Sequence, residues 1–277
     1  MSDETVTMND SHKIPKLGFG VFQVPPDDTQ RVVEDALEVG YRHIDTAAGY
    51  RNEPGVGRAL RSSGLKRGEV FVTTKLYNDS HGYQETLDAF EASCTALDLD
   101  YVDLYLIHWP RPRADRFVDS WHAFEVLRAQ GRIRSIGVSN FRVQDLEKLA
   151  ANSTTIPVVN QIELHPHFQQ EELRRYHLAH GILTESWSPI GQGTVLGEPL
   201  LTDIGRRYGK TAAQIAIRWH IDLGIIVIPK SSHRNRMAEN FDVFDFSLTE
   251  EEISSIRTLE TGQRTGFDPS QFEGLWT

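Results

Sequence analysis

Residues 70–108, "VFVTTKLYNDSHGYQETLDAFEASCTALDLDYVDLYLIH", contain the unit from which the whole chain is built. The segment begins with a β-branched run, 70–75, and ends with a second apolar run, 102–108. Apolar positions between them recur at the spacing of one helix face: Leu87, Phe90, Cys94 and Leu97. A strand, a helix and a strand in this order predict a parallel pair, because parallel neighbours need a crossover.

The same unit recurs along the chain. The predicted strands are 17–20, 41–46, 70–75, 102–108, 133–139, 158–163, 182–187 and 225–230. The predicted helices are 28–39, 53–63, 83–98, 117–129, 142–151, 169–180, 199–222 with a break near Gly209, and 233–241. Eight such units favour an α/β fold, a closed (β/α)8 TIM barrel, formed by residues 1–277 as a single domain.

An open doubly wound sheet is the alternative architecture. If it bound a dinucleotide, it would carry a G-x-G-x-x-G turn after its first strand, and that turn is missing here. Residues 5–20 alternate around a turn at Asn9-Asp10-Ser11, which predicts an N-terminal hairpin that covers one end of the barrel. The final segment, 261–277, is loop-like and aromatic, and we expect it to lie over the active site.

The composition excludes several partners. The chain carries 29 Lys and Arg against 39 Asp and Glu, a formal net charge of −10, which argues against nucleic acid or an anionic membrane. A single cysteine, Cys94, excludes an internal disulfide framework and suits a reducing cytoplasm. No signal pattern or membrane-spanning run is visible, so we predict a cytoplasmic protein.

Ionisable residues stand at the ends of three consecutive predicted strands. Strand 41–46 ends near Asp45, the next ends at Lys75, and the third ends at His108. Tyr50 follows Asp45 on the next loop. Active sites of such barrels lie at the carboxyl ends of the strands, so we expect these four side chains to meet.

The four groups suit carbonyl reduction. A nearby ammonium lowers the pKa of a phenol, so Lys75, held by Asp45, would make Tyr50 a better acid. Tyr50 would then protonate a carbonyl oxygen while His108 hydrogen-bonds and orients it. This chemistry also needs a hydride donor on the other face of the carbonyl group.

A second set of residues fits such a donor. Ser139, Asn140, Gln161, Trp187 and Ser188 follow the next three strands. The amide and hydroxyl groups could bind the carboxamide of a nicotinamide ring, and the indole of Trp187 could stack on it.

The segment "PKSSHRNRMAEN" (229–240) follows the last strand and opens a predicted helix. Its basic residues are Lys230, His233, Arg234 and Arg236. Helix-start amides beside these charges predict a phosphate site in an otherwise acidic protein, with a solvated basic helix face as the alternative.

Each residue alone also fits an ordinary structural role. Asp45 fits a turn cap, and Asn140 and Gln161 fit the satisfaction of buried loop backbone. A metal site is not predicted, because His165 and His167 have no third ligand at a recognisable spacing.

Four signatures, in this order, resemble those of the aldo-keto reductase family. They are "GYRHIDTAAGYRNE" (40–53), "VDLYLIHWP" (102–110), "IRSIGVSNF" (133–141) and "IPKSSHRNRMAEN" (228–240). The likeness extends from the hairpin to Leu259. The motifs "NQIELHP", "ESWSP" and "DVFDF" are similar to the bacterial diketogluconate-reductase-like branch.

The resemblance implies a role for each residue. Tyr50 would be the general acid, Asp45 and Lys75 would tune it, and His108 would position the carbonyl. The cofactor would be NADPH, with Ser139, Asn140 and Gln161 on its carboxamide. The remaining cofactor residues would be Trp187 and Ser188 at the nicotinamide, Lys230, Ser231, His233 and Arg236 at the 2′-phosphate, and Glu239 and Asn240 at the adenine.

Two departures from the family pattern concern specificity. His233 stands where close relatives often have arginine, which weakens the expected NADPH preference. Tyr77 and Phe22 stand where tryptophan is common. The predicted substrate pocket is therefore aromatic: Phe22, Tyr77, Trp109 and Trp276, with Phe267 and Phe272 as further candidates.

We predict an NADPH-dependent reductase of aldehydes and ketones, including dicarbonyls and keto-sugars, that works as a monomer. A Schiff-base aldolase using Lys75 is one alternative, but it leaves Tyr50 and the nicotinamide set unexplained. A regulatory or structural protein that binds the cofactor without turnover is the other.

Overall fold

The computed structural model describes residues 4–274. Its strands are β1 Thr5–Thr7, β2 Lys13–Pro15, β3 Phe19–Gly20, β4 His43–Asp45, β5 Phe71–Leu76, β6 Val102–Ile107, β7 Ile133–Ser139, β8 Val159–Glu163, β9 Leu183–Trp187 and β10 Ile226–Val227. Its helices are α1 Pro26–Val39, α2 Glu53–Ser62, α3 Tyr83–Leu97, α4 Phe117–Ala129, α5 Val143–Asn152, α6 Glu171–Ala179, α7 Pro199–Tyr208, α8 Ala212–Asp222, α9 Arg234–Phe241 and α10 Glu250–Arg257.

Strands β3 to β10 form one parallel sheet in sequential order. The sheet closes on itself, because Leu17 bridges Val227 in parallel register. Two backbone bonds of 2.8 Å hold this seam, from Gly18 N to Val227 O and from Val227 N to Lys16 O. The predicted (β/α)8 barrel is therefore confirmed.

Local sequence explains where the helices begin and end. Helix α1 has proline at its first position and ends at Gly40, whose φ of 128° few other residues tolerate. Val32 and Val33 lie on its buried face, and burial of each contributes roughly 1.5 kcal/mol or more. The predicted break near Gly209 separates α7 from α8, which starts at a capping box formed by Thr211 and Gln214.

The hairpin of β1 and β2 covers the amino end of the barrel, as the sequence predicts. Met8 and Ile14 pack against barrel residues that include Leu104 and Ile226. The turn is tied down by Asn9, whose Nδ2 donates to the carbonyl oxygens at 157 and 181. This end of the barrel is closed, so the chemistry belongs at the opposite rim.

Helix α10 is an element that we did not predict. It starts at a capping box in which Thr249 Oγ1 accepts from Glu252 N. The signal was present in the sequence as "TEEE", because Thr followed three residues later by Glu is typical of a helix start. Its apolar face is short, with Ile256 fully buried, which explains why periodicity alone did not reveal it.

The C-terminal tail, here residues 261–274, crosses the carboxyl rim of the barrel. The ring of Phe272 lies 4.6 Å from that of Trp109 and 4.5 Å from that of Phe267. Asn78 Nδ2 donates to Gly274 O at 2.9 Å. Trp276, a predicted pocket residue, lies outside the described residues. Within the described part of the chain, no helix is long and apolar enough to span a bilayer.

Candidate active site

Three neighbouring strands bring the predicted catalytic residues to one rim. Asp45 ends β4, Lys75 lies one residue before the end of β5, and His108 directly follows β6. Tyr50 ends a short 3-10 turn, Ala48–Tyr50, that begins three residues after β4. Parallel strands place their carboxyl ends together, which is why residues as far apart in sequence as Tyr50 and His108 become neighbours.

Asp45 and Lys75 form a buried ion pair. Lys75 Nζ lies 2.6 Å from Asp45 Oδ1 and donates to Thr46 O at 2.9 Å. The third contact of the ammonium is the hydroxyl of Tyr50, at 3.5 Å. Lys75 is fully buried and Asp45 nearly so. The pair fixes a positive charge beside the phenol.

The pKa of Tyr50 differs from the expectation. We expected Lys75 to lower it, but burial raises the pKa of Tyr50 above its usual value, and the Lys75 ammonium offsets only part of that rise. The negative charge of Asp45 adds to the rise. Tyr50 is therefore a protonated phenol at neutral pH, with the Lys75 ammonium as a positive charge beside it.

The protonation state of Lys75 follows from its neighbours. Burial alone would lower the pKa of Lys75, but its interactions with neighbouring groups, above all the negative charge of Asp45, outweigh burial and raise the pKa above its usual value. The amine thus keeps its proton. A protonated, fully buried ammonium cannot attack a carbonyl carbon, which argues against the Schiff-base aldolase.

His108 stands beside Tyr50, with its ring edge-on at a centroid distance of 5.6 Å. Burial, followed by the charge of Lys75, places the pKa of His108 well below its usual value. The imidazole is therefore neutral at physiological pH. A neutral imidazole can donate one hydrogen bond to a carbonyl oxygen without competing with Tyr50 as the acid.

The amide residues of the next strands form a connected network. Asn140 has a left-handed backbone, φ 63°, directly after β7. Its Nδ2 donates to His108 O, and its Oδ1 accepts from Trp187 Nε1, both at 2.9 Å. Ser139 Oγ donates to Gln161 O, also at 2.9 Å. The Trp187 ring is thereby held in a fixed orientation at the cleft.

The side-chain amide of Gln161 is held in one orientation by two buried carboxyl groups. Its Nε2 donates to Asp45 Oδ2 at 2.8 Å and to Glu185 Oε2 at 3.0 Å. Both amide hydrogens are therefore used inside the barrel, and its oxygen is the atom left for a ligand. Glu185 is a buried residue that we missed, although an acid within the apolar run "ILTESW" was a visible signal.

These residues surround a cleft of about 490 Å³. Tyr50, His108, Gln161 and Trp187 contribute to its lining. The other predicted residues in its wall are Phe22, Asp45, Trp109, Ser139, Asn140, Ser188, Lys230 and Arg236. Tyr77, a predicted pocket residue, is not among the described residues that line this cleft; its ring packs so closely on Gly49 that a Cβ there would meet it at 2.6 Å.

A second cavity of about 540 Å³ adjoins the cleft. The two share Ile190, Leu196, Lys230 and Arg236 in their walls, so they form one continuous groove. The remaining predicted residues of the basic segment line the second cavity: Ser231, His233, Glu239 and Asn240.

The basic segment divides into two faces. Arg234 turns away from the groove and pairs with Asp35 and Glu38 of α1, at 3.1 and 2.5 Å. Lys230 and Arg236 form no ion pair with any residue in 4–274. The groove therefore holds two unpaired cations where its two cavities meet, which suits an anionic ligand.

Glu163 anchors the C-terminal tail. Its Oε1 accepts from Thr265 N at 2.5 Å and from Thr265 Oγ1 at 2.7 Å, and Gly266 N donates at 3.2 Å. Gly266 lies against Trp187, where a Cβ would meet the indole at 2.4 Å. One buried carboxylate, which sequence analysis did not identify, thus holds the tail against the Trp187 ring.

We expect Glu163→Gln to loosen this anchor. Burial alone would raise the pKa of Glu163, but the hydrogen bonds from His165 and Thr265 outweigh burial and hold the pKa below its usual value of 4.5. The anchor therefore stabilises the fold above about pH 4.5 and is lost as the pH falls through the lowered pKa. Limited proteolysis of the tail should become several-fold faster in Glu163→Gln at pH 7. Equal cleavage of both proteins would contradict the anchor.

His165 and His167 do not converge on a metal site. His165 Nε2 lies 3.3 Å from Glu163 Oε1, and His167 Nε2 lies 2.7 Å from Glu198 Oε1. Among residues 4–274 no group of three His, Cys, Asp or Glu side chains has the geometry to hold a metal ion.

Comparison with known proteins assigns the chain. The model of the Aldo/keto reductase family matches residues 16–261. The chain belongs to the aldo-keto reductase family. An aldo-keto reductase of Mycolicibacterium smegmatis is 56% identical, over 96% of this chain and 97% of that protein. Methylglyoxal reductase DkgA of Escherichia coli is 47% identical, over 99% and 100%.

Solved structures agree with this membership. A variant of Gox0644, crystallised in complex with NADPH, superposes on this aldo-keto reductase with a TM-score of 0.93 and 45% identity. The match covers 97% of this chain and 98% of that one. The similarity to the DkgA branch is consistent with the resemblance seen in the sequence.

Proposed function

We propose that the protein is an NADPH-dependent carbonyl reductase in which Tyr50 is the proton donor. The observation that carries the proposal is the contact of the Tyr50 hydroxyl with Lys75 Nζ at 3.5 Å, beside Asp45 and in the wall of the cleft. A phenol next to a buried ammonium can lose its proton to an oxygen that gains negative charge, because the phenolate left behind is stabilised.

The groove has the groups needed to bind a nicotinamide dinucleotide that carries a 2′-phosphate. Trp187 and the amides of Asn140 and Gln161 lie at the Tyr50 end, and Lys230 and Arg236 lie where the two cavities meet. We assign Trp187 and Ser188 to the nicotinamide ring, and its carboxamide to Ser139, Asn140 and the oxygen of Gln161. The 2′-phosphate is assigned to Lys230, Ser231, His233 and Arg236, and the adenine to Glu239 and Asn240.

The bound NADPH would supply a hydride to the carbonyl carbon. The chain would supply the proton and the orientation. Tyr50 donates to the carbonyl oxygen, Lys75 compensates the charge of the phenolate, and neutral His108 hydrogen-bonds the same oxygen. Asp45 holds Lys75 in place by their 2.6 Å contact.

For the substrate we propose small aldehydes, ketones and dicarbonyls, with keto-sugars as further candidates. Phe22 and Trp109 give the cleft an aromatic wall, and the tail places Phe272 against Trp109. An E. coli relative is named for methylglyoxal reduction.

The test is oxidation of NADPH, and separately of NADH, by the purified protein. Methylglyoxal, phenylglyoxal, an aromatic aldehyde, dihydroxyacetone and a diketogluconate form the panel. Turnover that prefers NADPH supports the proposal. Saturable quenching of tryptophan fluorescence by NADPH without turnover of any substrate would instead indicate a cofactor-binding protein that is not a reductase.

Arg236→Ala should weaken NADPH binding by about tenfold to a hundredfold while changing NADH binding little. The reason is that a charged hydrogen bond to the 2′-phosphate is lost, and NADH has no such group. Fluorescence titration with both nucleotides measures the two dissociation constants.

Arg234→Ala is the matched control for this prediction. It removes the same charge from the same helix, but Arg234 faces Asp35 and Glu38 outside the groove. We expect the control to bind both nucleotides like the unmodified protein. Equal losses of NADPH and NADH in Arg236→Ala would contradict the phosphate assignment.

Three further expectations remain predictions. We propose that residues 1–277 form one domain, that the protein works as a monomer, and that it acts in the cytoplasm. Continuity of the eight-stranded sheet supports the first and the lone, buried Cys94 is compatible with the last. Light scattering at working concentration measures the oligomeric state.

A further inference from the structure

Glu185 lies inside the barrel, behind the cleft wall. It is on β9, two residues before Trp187, and it is fully buried. Its Oε2 accepts from Gln161 Nε2 at 3.0 Å, whereas its Oε1 has no hydrogen-bond partner in residues 4–274. The closest nitrogen that could pair with Oε1 is His43 Nε2, at 3.8 Å.

The charges around Glu185 do not balance if it is ionised. Asp45 and Glu185 accept from the same nitrogen of Gln161, and Lys75 is the single cation that faces them. Burial lowers the pKa of the remaining candidate, His43, to about 3, so it is neutral. Two carboxylates and one ammonium would leave a net negative charge in a dry interior, which is costly.

One of the two carboxyl groups must therefore keep its proton. Asp45 contacts Lys75 directly, at 2.6 Å, and is the partner that benefits from being charged. Glu185 has no cation in contact, and its Oε1 is free to carry a proton. Burial, and after it the charge of Asp45, raises the pKa of Glu185 to about 8.

We propose that Glu185 is a positioning residue, neutral in the working enzyme, whose ionisation in alkaline solution weakens proton donation by Tyr50. The inference rests on the proposed function, because it assigns Glu185 an effect on that same proton transfer. Glu185 acts through Gln161 and Asp45 and does not touch the cleft itself.

The direction of the effect follows from the charge. An ionised Glu185 adds a negative charge to the cluster and thereby raises the pKa of Tyr50 and that of Lys75. Because a phenol with a higher pKa is a weaker acid, protonation of the carbonyl oxygen slows. Asp45, Lys75, Tyr50 and His43 are the titratable groups that face Glu185, and Gln161 is its neutral hydrogen-bond partner.

Infrared difference spectroscopy tests the charge state without any cofactor. The spectrum of Glu185→Gln is subtracted from that of the unmodified protein at about pH 6 and about pH 10, on either side of the titration. We expect a protonated carboxylic-acid band at the lower pH that disappears at the higher one. A carboxylate signal already present at pH 6 would overturn the proposal.

Glu53→Gln is the matched control. Glu53 is also a buried carboxyl group, but it accepts from Thr74 Oγ1 at 2.6 Å and from Ser93 Oγ at 3.3 Å, not from Gln161. The charge of Lys75 is the smallest of the influences on its pKa. The band obtained by subtracting the spectrum of Glu53→Gln should not follow the pH dependence of the Glu185 band. If Glu185→Gln does not fold, Glu185→Met, which is of similar volume and cannot ionise, takes its place.

The pH profile of kcat for carbonyl reduction tests the consequence. The unmodified enzyme and Glu53→Gln should lose activity as the pH rises through about 8. Glu185→Gln should keep its kcat to higher pH. When the kcat of each protein is divided by its own plateau value, the variant should exceed the unmodified enzyme by about fivefold at the alkaline end. Glu185→Asp should restore the alkaline decline.

The two failures are distinguishable. Superimposable profiles of the unmodified enzyme and Glu185→Gln would refute the role of Glu185 and leave the reductase function intact. If the unmodified protein shows no turnover at any pH, the proposed function fails, and the infrared experiment still decides whether Glu185 is protonated.

Discussion

We expect Tyr50→Phe to lower kcat for carbonyl reduction by about a thousandfold while NADPH affinity stays within about twofold. The substitution removes one oxygen, whose proton matters only as charge develops on the carbonyl group. Packing should survive, because the ring at position 50 keeps its neighbours Phe22 and His108, at centroid distances of 5.0 and 5.6 Å. Steady-state kinetics and fluorescence titration measure the two quantities.

The control is Tyr176→Phe, the same chemical change on the outside of the barrel. Tyr176 lies on α6, where its ring stacks on His180 at 3.9 Å, far from the cleft. It should retain full activity. If Tyr50→Phe turned over at a near-normal rate, Tyr50 could not be the proton donor, and the acid would have to be sought in water or His108.

Lys75→Met should lower the free energy of unfolding by about 3–5 kcal/mol. It leaves Asp45 buried without the cation that lies 2.6 Å from it. Burial already raises the pKa of Asp45 above its usual value, and loss of the Lys75 charge raises it further. Folded Asp45 would then keep a proton that the unfolded chain releases, so the loss should be larger at pH 8 than at pH 5. Urea denaturation at both pH values measures it.

The double variant Asp45→Asn with Lys75→Met separates stability from catalysis. The amide oxygen of asparagine can still accept from Gln161, and no charge is left unpaired, so most of the stability should return. Activity should not return, since the phenolate of Tyr50 has lost its ammonium. Full activity in the double variant would show that Lys75 serves the fold alone.

Much of the fold follows from local patterns in the sequence. Alternating apolar runs and helical periodicity predict every barrel strand and the positions of nine of the ten helices in residues 4–274, with the break at Gly209 included. Their boundaries shift by up to three residues: the predicted strand 225–230 is observed at Ile226–Val227, and the predicted helix 169–180 at Glu171–Ala179. Helix α10 was not predicted, because its sequence signal is an N-terminal capping box rather than a periodic apolar face.

The site was less completely predictable. Asp45, Tyr50, Lys75 and His108 could be found because barrel topology places successive strand ends together. Glu185 is visible in the sequence as an acid within an apolar run, but its role could not be predicted, because that role depends on contact with Gln161, 24 residues away in sequence.

The barrel, the strand-end groups and the basic segment could be predicted from the chain alone, because they depend on periodicity and residue order. Three further features depend on contacts made only in the folded protein: burial outweighs Lys75 at Tyr50, Arg234 turns to α1 while Arg236 faces the groove, and Glu163 holds the tail. These outcomes depend on distances and desolvation between segments far apart in sequence, and no local pattern encodes them.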